Sequence, residues 1–306
     1  MQQGILTERA EDIYSFSHLT IQEYLTAQYL SQNPAALTET VAQHATAARW
    51  REVLCLVPGL LPNADDLLRQ MATLAKQRLG SNKLQSLLAW ANRVTLDSSN
   101  PAPAAAKRSV AIFSALAPAR ESDPALARAL TLALTRALTL ALTRARDLDY
   151  DLALALARAL TLALTRALTL ALTRALALAR ALALAKIVNS SVNLSVLIQN
   201  LEALSAQIPA QNADAKELQG FADLILQVWC DGLDLDRELL NLSEAELNTL
   251  ADYFYCCELM VQCKESAVRV SREVWEAIEA AMVMPTASSK LAIEIAPTST
   301  KSASAD

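Results

Sequence analysis

The run RALTLALTRALTLALTRA at Arg128–Ala145 occurs again, unchanged, at Arg158–Ala175, thirty residues later. Reading it as helix or strand decides the fold class, because the array it belongs to extends over residues 124–186. From Leu126 to Lys186 nearly every even position is Leu or Arg, and odd positions are Ala, Thr or Asp. Strict alternation is the pattern of a strand. Against it, Ala, Leu and Arg are the strongest helix formers, and after Pro124 neither Gly nor Pro interrupts the run. The eight-residue period advances about 80° beyond two full turns at roughly 100° per residue, so leucines spread round the cylinder. Propensity prevails and the array reads as helix, apolar nearly all round, needing neighbours or its own copies as cover. RDLDYD at residues 146–151 is the natural turn between two such helices. The array is a spacer or packing surface with no catalytic residue expected inside it.

Composition agrees with this reading. Of 306 residues, 53% are hydrophobic, only five are Gly and aromatics make up 5%. An all-α, multi-helical fold with a long Ala/Leu-rich low-complexity repeat in its middle is therefore predicted. The flanks read as amphipathic helices with recognisable stops. Asn63 and the acidic pair Asp65/Asp66 open a helix over 64–79 that ends at Gly80, and another spans about 83–95. A helical region over 47–61 carries Trp50 on its apolar side and is interrupted by Pro58, Gly59 and Pro62. DSSNPAPAAA, at 97–106, has the composition of a linker. Further helices are expected near 192–207 and 215–230, and Ser243 with Glu246 forms a capping box for one reaching about Cys263. Ser271 caps the last, which stops at Pro285. The divisions predicted are 1–32, 33–96, a linker at 97–123, the repeat at 124–186, a C-terminal helical domain at 187–285 and a disordered tail at 286–306.

Charge and cysteine content narrow the chemistry. The formal charge of −5 conceals a basic middle, twelve Lys/Arg against five Asp/Glu from Lys107 to Lys186. Its arginines lack interleaved aromatics, so a solvated or domain-facing surface is preferred to nucleic-acid binding. An arginine about every eight residues also opposes a membrane span. No apolar signal segment opens the chain, and a cytoplasmic location is expected. Cys256, Cys257 and Cys263 cluster without a CxxC spacing or a nearby His, and read as buried free thiols rather than a metal set.

The stretch YSFSHLTIQEYLTAQYL, Tyr14–Leu30, carries the one functional signal. Thr20 and Glu23 have the spacing of a capping box and Leu19 can staple onto Tyr24, which predicts a helix from Ile21. His18 then lies two residues outside an N-terminus, where unpaired N–H groups and the helix dipole favour an anion. Ile21, Leu25 and Tyr29 share the stripe predicted to pack. His18 has two readings, a phosphate contact or a residue that only caps or packs.

Phe16, His18, Gln22, Glu23, Tyr24 and Ala27 resemble the F-x-H-x-x-x-Q-E-[FY]-x-x-A signature of the winged-helix segment that follows a NACHT ATPase domain. RWREVLCLVPGLLPNADDLLRQM, Arg49–Met71, is similar to the helical segment that follows in cyanobacterial NACHT proteins. Leu250–Pro285, with ADYFY and VSREVWEAIEAAMVMP, is similar to their carboxy-terminal domain. The resemblance implies that 1–32 is the end of a winged helix and that His18 contacts the β-phosphate of ADP in a closed, inactive state. ADP/ATP would be the ligand of the full-length family, with no cofactor bound by this chain alone. The implied partners are a NACHT ATPase domain, in cis or trans, and an unknown protein ligand or effector.

Other chemistry finds no support. A P-loop needs G-x-x-x-x-G-K-[ST], and Gly4, Gly59, Gly80, Gly220 and Gly232 are all isolated. His18 and His44 sit in no Ser or Cys constellation, and the carboxylate pairs Asp65/Asp66 and Asp234/Asp236 fall at helix starts and turns. The expectation is a regulatory part of a nucleotide switch with no catalysis of its own. The alternative is a free-standing helical interaction module indifferent to nucleotide.

Overall fold

In a computed structural model of the chain, residues 5–118, 129, 131–132, 135–137, 139, 168–210 and 213–286 are described. The all-α class holds. Among the described residues, regular structure is helical apart from one antiparallel hairpin, β1 (Leu6–Ala10) and β2 (Ile13–Phe16). Of the octad repeat, Leu168–Ala185 is a helix, while the proposed turn at 146–151 and the tail from 287 onward lie outside the described residues. The described chain falls into two units. One holds residues up to Arg78 with Tyr255–Ile278, and the other holds Leu79–Phe254 with the segment from Glu279.

The first unit is built on α1 (Leu19–Gln32), α2 (Pro34–His44), α3 (Arg51–Leu60) and α4 (Asp65–Gln77). Pro34 opens α2 at a first-turn position, where its missing N–H costs nothing. The sequence reading had no helix there. Pro58 and Gly59 were expected to interrupt the chain, yet α3 continues through both to Leu60. The lost hydrogen bond is made good from outside: Pro58 cannot donate to the Leu54 carbonyl, which instead accepts the Cys263 thiol at 3.3 Å. One residue on, the Cys55 carbonyl accepts the Ser266 hydroxyl at 2.7 Å. Gly59 permits this approach, since a Cβ there would lie 3.2 Å from the Ser266 carbonyl oxygen.

A second set of bonds in this unit holds α4. Asp65 is buried and accepts from the Ser271 N–H at 2.8 Å and the Ser271 hydroxyl at 2.5 Å, while Asn63 donates to it at 3.1 Å. Burial acts to raise the Asp65 pKa, but the Ser271 and Asn63 bonds outweigh it and hold the carboxyl below its usual range. Arg51 and Glu258 pair at 3.1 Å, and His44 stacks on Trp50 at 4.6 Å.

In the second unit α5 (Asn82–Thr95) and α6 (Ala104–Leu116) pack together. The linker expected at 97–123 takes in residues 104–116, although the proline-rich run that suggests it ends at Ala106. The correction follows from position: the prolines precede the helix, Pro103 at its N-cap, and the small residues after them let it be enclosed, with Arg108–Leu116 buried throughout. Arg108 donates to the carbonyls of Ala104 at 3.1 Å and Ala280 at 3.0 Å, and burial pushes its pKa down to about 10.

The helix Leu168–Ala185, here α7, packs with α8 (Leu194–Ala203) and α9 (Ala215–Gly232). Asn193 and Asp214 cap the last two, accepting from Val196 N–H at 3.1 Å and Glu217 N–H at 2.7 Å. Asn189 finishes α5 from a distance, its amide donating to the carbonyls of Arg93 at 2.8 Å and Leu96 at 3.0 Å. The helix α10 (Glu244–Ser266) opens on the predicted capping box. The Ser243 N–H reaches Glu246 Oε2 at 2.9 Å and the Glu246 N–H reaches Ser243 Oγ at 3.2 Å. Glu246 also accepts from the Ser81 hydroxyl, and that bond, with those from Ser243, holds its carboxyl below the ordinary range. The final helix, α11 (Arg272–Ala281), starts directly after Ser271 as expected.

Candidate functional site

The hairpin feeds straight into α1. Asp12 turns it with φ 62°, a left-handed conformation that a short polar side chain tolerates, and a register shift falls between Glu8 and Ala10. Its base is closed where the Ser17 N–H and hydroxyl both reach the Ile5 carbonyl, at 2.8 and 3.1 Å. Chain direction is thus held extended through Ser17, and the helix can begin at once.

That corrects the predicted start. Helix α1 begins at Leu19 rather than Ile21, with His18 itself at the N-cap, φ −136° and ψ 139°. No side chain caps this end, so the Thr20/Glu23 box is not made. The His18 carbonyl accepts the Ile21 N–H at 3.2 Å, and its imidazole is exposed. His18 therefore stands closer to the positive end of the dipole than its sequence position suggested, with its ring not engaged in capping.

The packed face also differs from the predicted one. Ala27 and Leu30 are buried, with α1 lying against α3, whereas Leu25 and Tyr29 are 39% and 59% exposed. At helical spacing His18, Gln22, Leu25 and Tyr29 follow one outward stripe. The motif residues divide accordingly. Ala27 anchors the helix, Phe16 is half-buried, and His18 and Gln22 face outward. Ile5, Leu6, Ile13, Tyr14 and Leu19, on the hairpin and at the start of α1, are also each more than half exposed. The hairpin was not legible because LTERAEDIYSF lacks a sustained alternation of apolar and polar residues.

The other candidates have structural uses. Asp65 holds Ser271, Asp234 pairs with Arg93, and Asp236 accepts the Glu238 N–H at 2.9 Å. All five cysteines are free thiols, with Cys55 half-buried and the others buried. Among the described residues no group of His, Cys, Asp and Glu is placed to hold a metal ion. None of their helices is long and apolar enough to cross a membrane.

Comparison with known families gives two matches. Residues 1–30 match the winged helix-turn-helix domain C-terminal to NACHT, and residues 197–285 match NACHT C-terminal helical domain 2. The chain thus carries NACHT-associated C-terminal domains, a winged-helix segment at one end and a helical domain at the other; neither matched domain is the catalytic NTPase domain. No curated protein and no solved structure matches the chain.

Proposed function

We propose that the chain is the regulatory and sensor part of a NACHT-type signal-transduction switch, with catalysis supplied by an ATPase domain in cis or trans. The observation that carries this reading is the state of His18. It has an exposed imidazole at a helix N-cap, unused in capping, amid the uncovered apolar residues of the hairpin and α1. When the ATPase domain covers that surface, His18 donates to the β-phosphate of ADP and the α1 amides add to the attraction. ADP thereby favours the closed state, and a protein ligand that binds the open state better shifts the population. The setting is cytoplasmic signalling, with defence as one use of such a switch.

The test is calorimetry of ADP with the chain alone and joined to a NACHT ATPase domain. The chain alone is expected not to bind, and the joined form to bind and to weaken at least about tenfold on His18→Ala, the loss of one charge-assisted bond. Unchanged affinity in that variant removes the role from His18. The same uncovered apolar surface supports a second reading, a helical interaction module independent of nucleotide. That reading gains if a stable partner complex forms equally well with and without ADP.

A further inference from the structure

We propose that Cys55 and Cys263 are a redox-active dithiol that closes to a disulfide between α3 and α10. The two residues are far apart in sequence, and the sequence reading grouped Cys263 with Cys256 and Cys257 instead. In the first unit each thiol reaches the residue next to the other: Cys263 Sγ lies on the Leu54 carbonyl at 3.3 Å and Cys55 Sγ on the Gln262 side chain at 3.7 Å. The Ser266 hydroxyl, donating to the Cys55 carbonyl at 2.7 Å, also fixes the turns that carry them. These contacts bring the two thiols onto facing turns of α3 and α10, and a disulfide there would have its sulfurs about 2.05 Å apart. Cys55 is the point of entry, because it alone is half-buried while the other four cysteines are buried. The neighbouring Cys263 side chain lowers the Cys55 pKa. Arg51 lowers it further, while burial and the carboxylates of Glu52 and Glu258 oppose the shift. The neighbouring Cys55 side chain and burial raise Cys263, so the attacking and resolving roles are distinct.

With hydrogen peroxide as oxidant the steps balance. The Cys55 thiolate attacks the peroxide O–O bond and becomes a sulfenic acid, and the departing hydroxide takes a proton to leave as water. Cys263 then attacks the Cys55 sulfur, the S–S bond forms and the S–O bond breaks. The Cys263 proton leaves with the hydroxyl as a second water, and the two thiols have lost two electrons to one peroxide. The product ties α3, on which α1 lies, to α10.

The experiment is hydrogen peroxide titration of the full chain in native buffer, followed by alkylation, intact mass and non-reducing peptide mapping. The expected result is a loss of about 2 Da, one Cys55–Cys263 linked peptide and reversal by dithiothreitol. Cys55→Ser should abolish the link, and Cys263→Ser should leave a sulfenic acid at Cys55 that dimedone traps. Oxidation of wild-type Cys55 to sulfinic or sulfonic acid without a linked peptide would overturn the proposal. So would a linked peptide joining other cysteines. Both readouts come from the wild-type chain and do not depend on a variant folding.

Discussion

The Cys263 thiol donates at 3.3 Å to the Leu54 carbonyl, the acceptor that Pro58 leaves without its helical partner. Sulfur from one helix thus completes the hydrogen bonding of another. Cys263→Ala should cost about 1–3 kcal/mol, because a buried acceptor loses its donor. In a Pro58→Ala background the restored N–H can serve Leu54, and the same substitution should cost markedly less. A double-mutant cycle by urea unfolding reads the difference, and equal costs in both backgrounds would show that the thiol does not replace the proline's missing donor.

Asp65 should make the first unit acid-sensitive. Its pKa is lowered in the folded chain, so its contribution is present above the unfolded carboxylate value of about 3.9 and is lost as pH falls through the folded value. Asp65→Ala should lower the unfolding midpoint at pH 7, removing hydrogen bonds to a charged group at about 1.5–3 kcal/mol. As pH falls through the folded value wild type and variant should converge, and a gap that stays constant from pH 7 downward would contradict the assignment.

Gly232 is set by packing rather than by backbone conformation. A Cβ there would lie 2.5 Å from Leu197 Cδ1 and 2.9 Å from Leu197 Cβ, where α9 meets α8. Moving the methyl end of Leu197 does not relieve the second contact. Gly232→Ala should therefore destabilise by about 1–3 kcal/mol, despite alanine's higher helix propensity. Differential scanning calorimetry showing an unchanged or raised melting temperature would refute the close approach.

Val283 is a buried β-branched residue at φ 56°, just past the end of α11. Its N–H donates to the Tyr253 hydroxyl at 2.8 Å, so that hydroxyl helps hold a backbone conformation valine disfavours. Tyr253→Phe should cost about 1–3 kcal/mol by stranding a buried N–H. Amide hydrogen exchange supplies the check: the Val283 amide should lose protection at least about tenfold, and full retention would show another partner.

What could be read in advance was local. The Ser243/Glu246 box and the helix start after Ser271 each depend on residues a few positions apart, and each was legible; the stop expected at Gly80 falls earlier, at Gln77. Glu246 shows the boundary of that reading: its bond to Ser243 is in the sequence pattern, and its bond to Ser81 is not. The same holds for Asp65, which looked like a first-turn acid and turns out to grip Ser271. At the candidate site the motif located His18, but the helix start moved because the bond from Ser17 to Ile5 holds the chain extended up to it.

The sequence by itself determined an all-α chain, some of its helix starts and its NACHT-associated segments, because propensity, caps and apolar periodicity act within a few turns of chain. Only the tertiary structure decided that residues 104–116 are enclosed, that α3 survives Pro58, that Leu25 and Tyr29 face outward, and that Cys263 reaches the Leu54 carbonyl. Each depends on which distant backbone or side chain supplies cover, a donor or a thiol. No pattern of neighbouring residues encodes that choice.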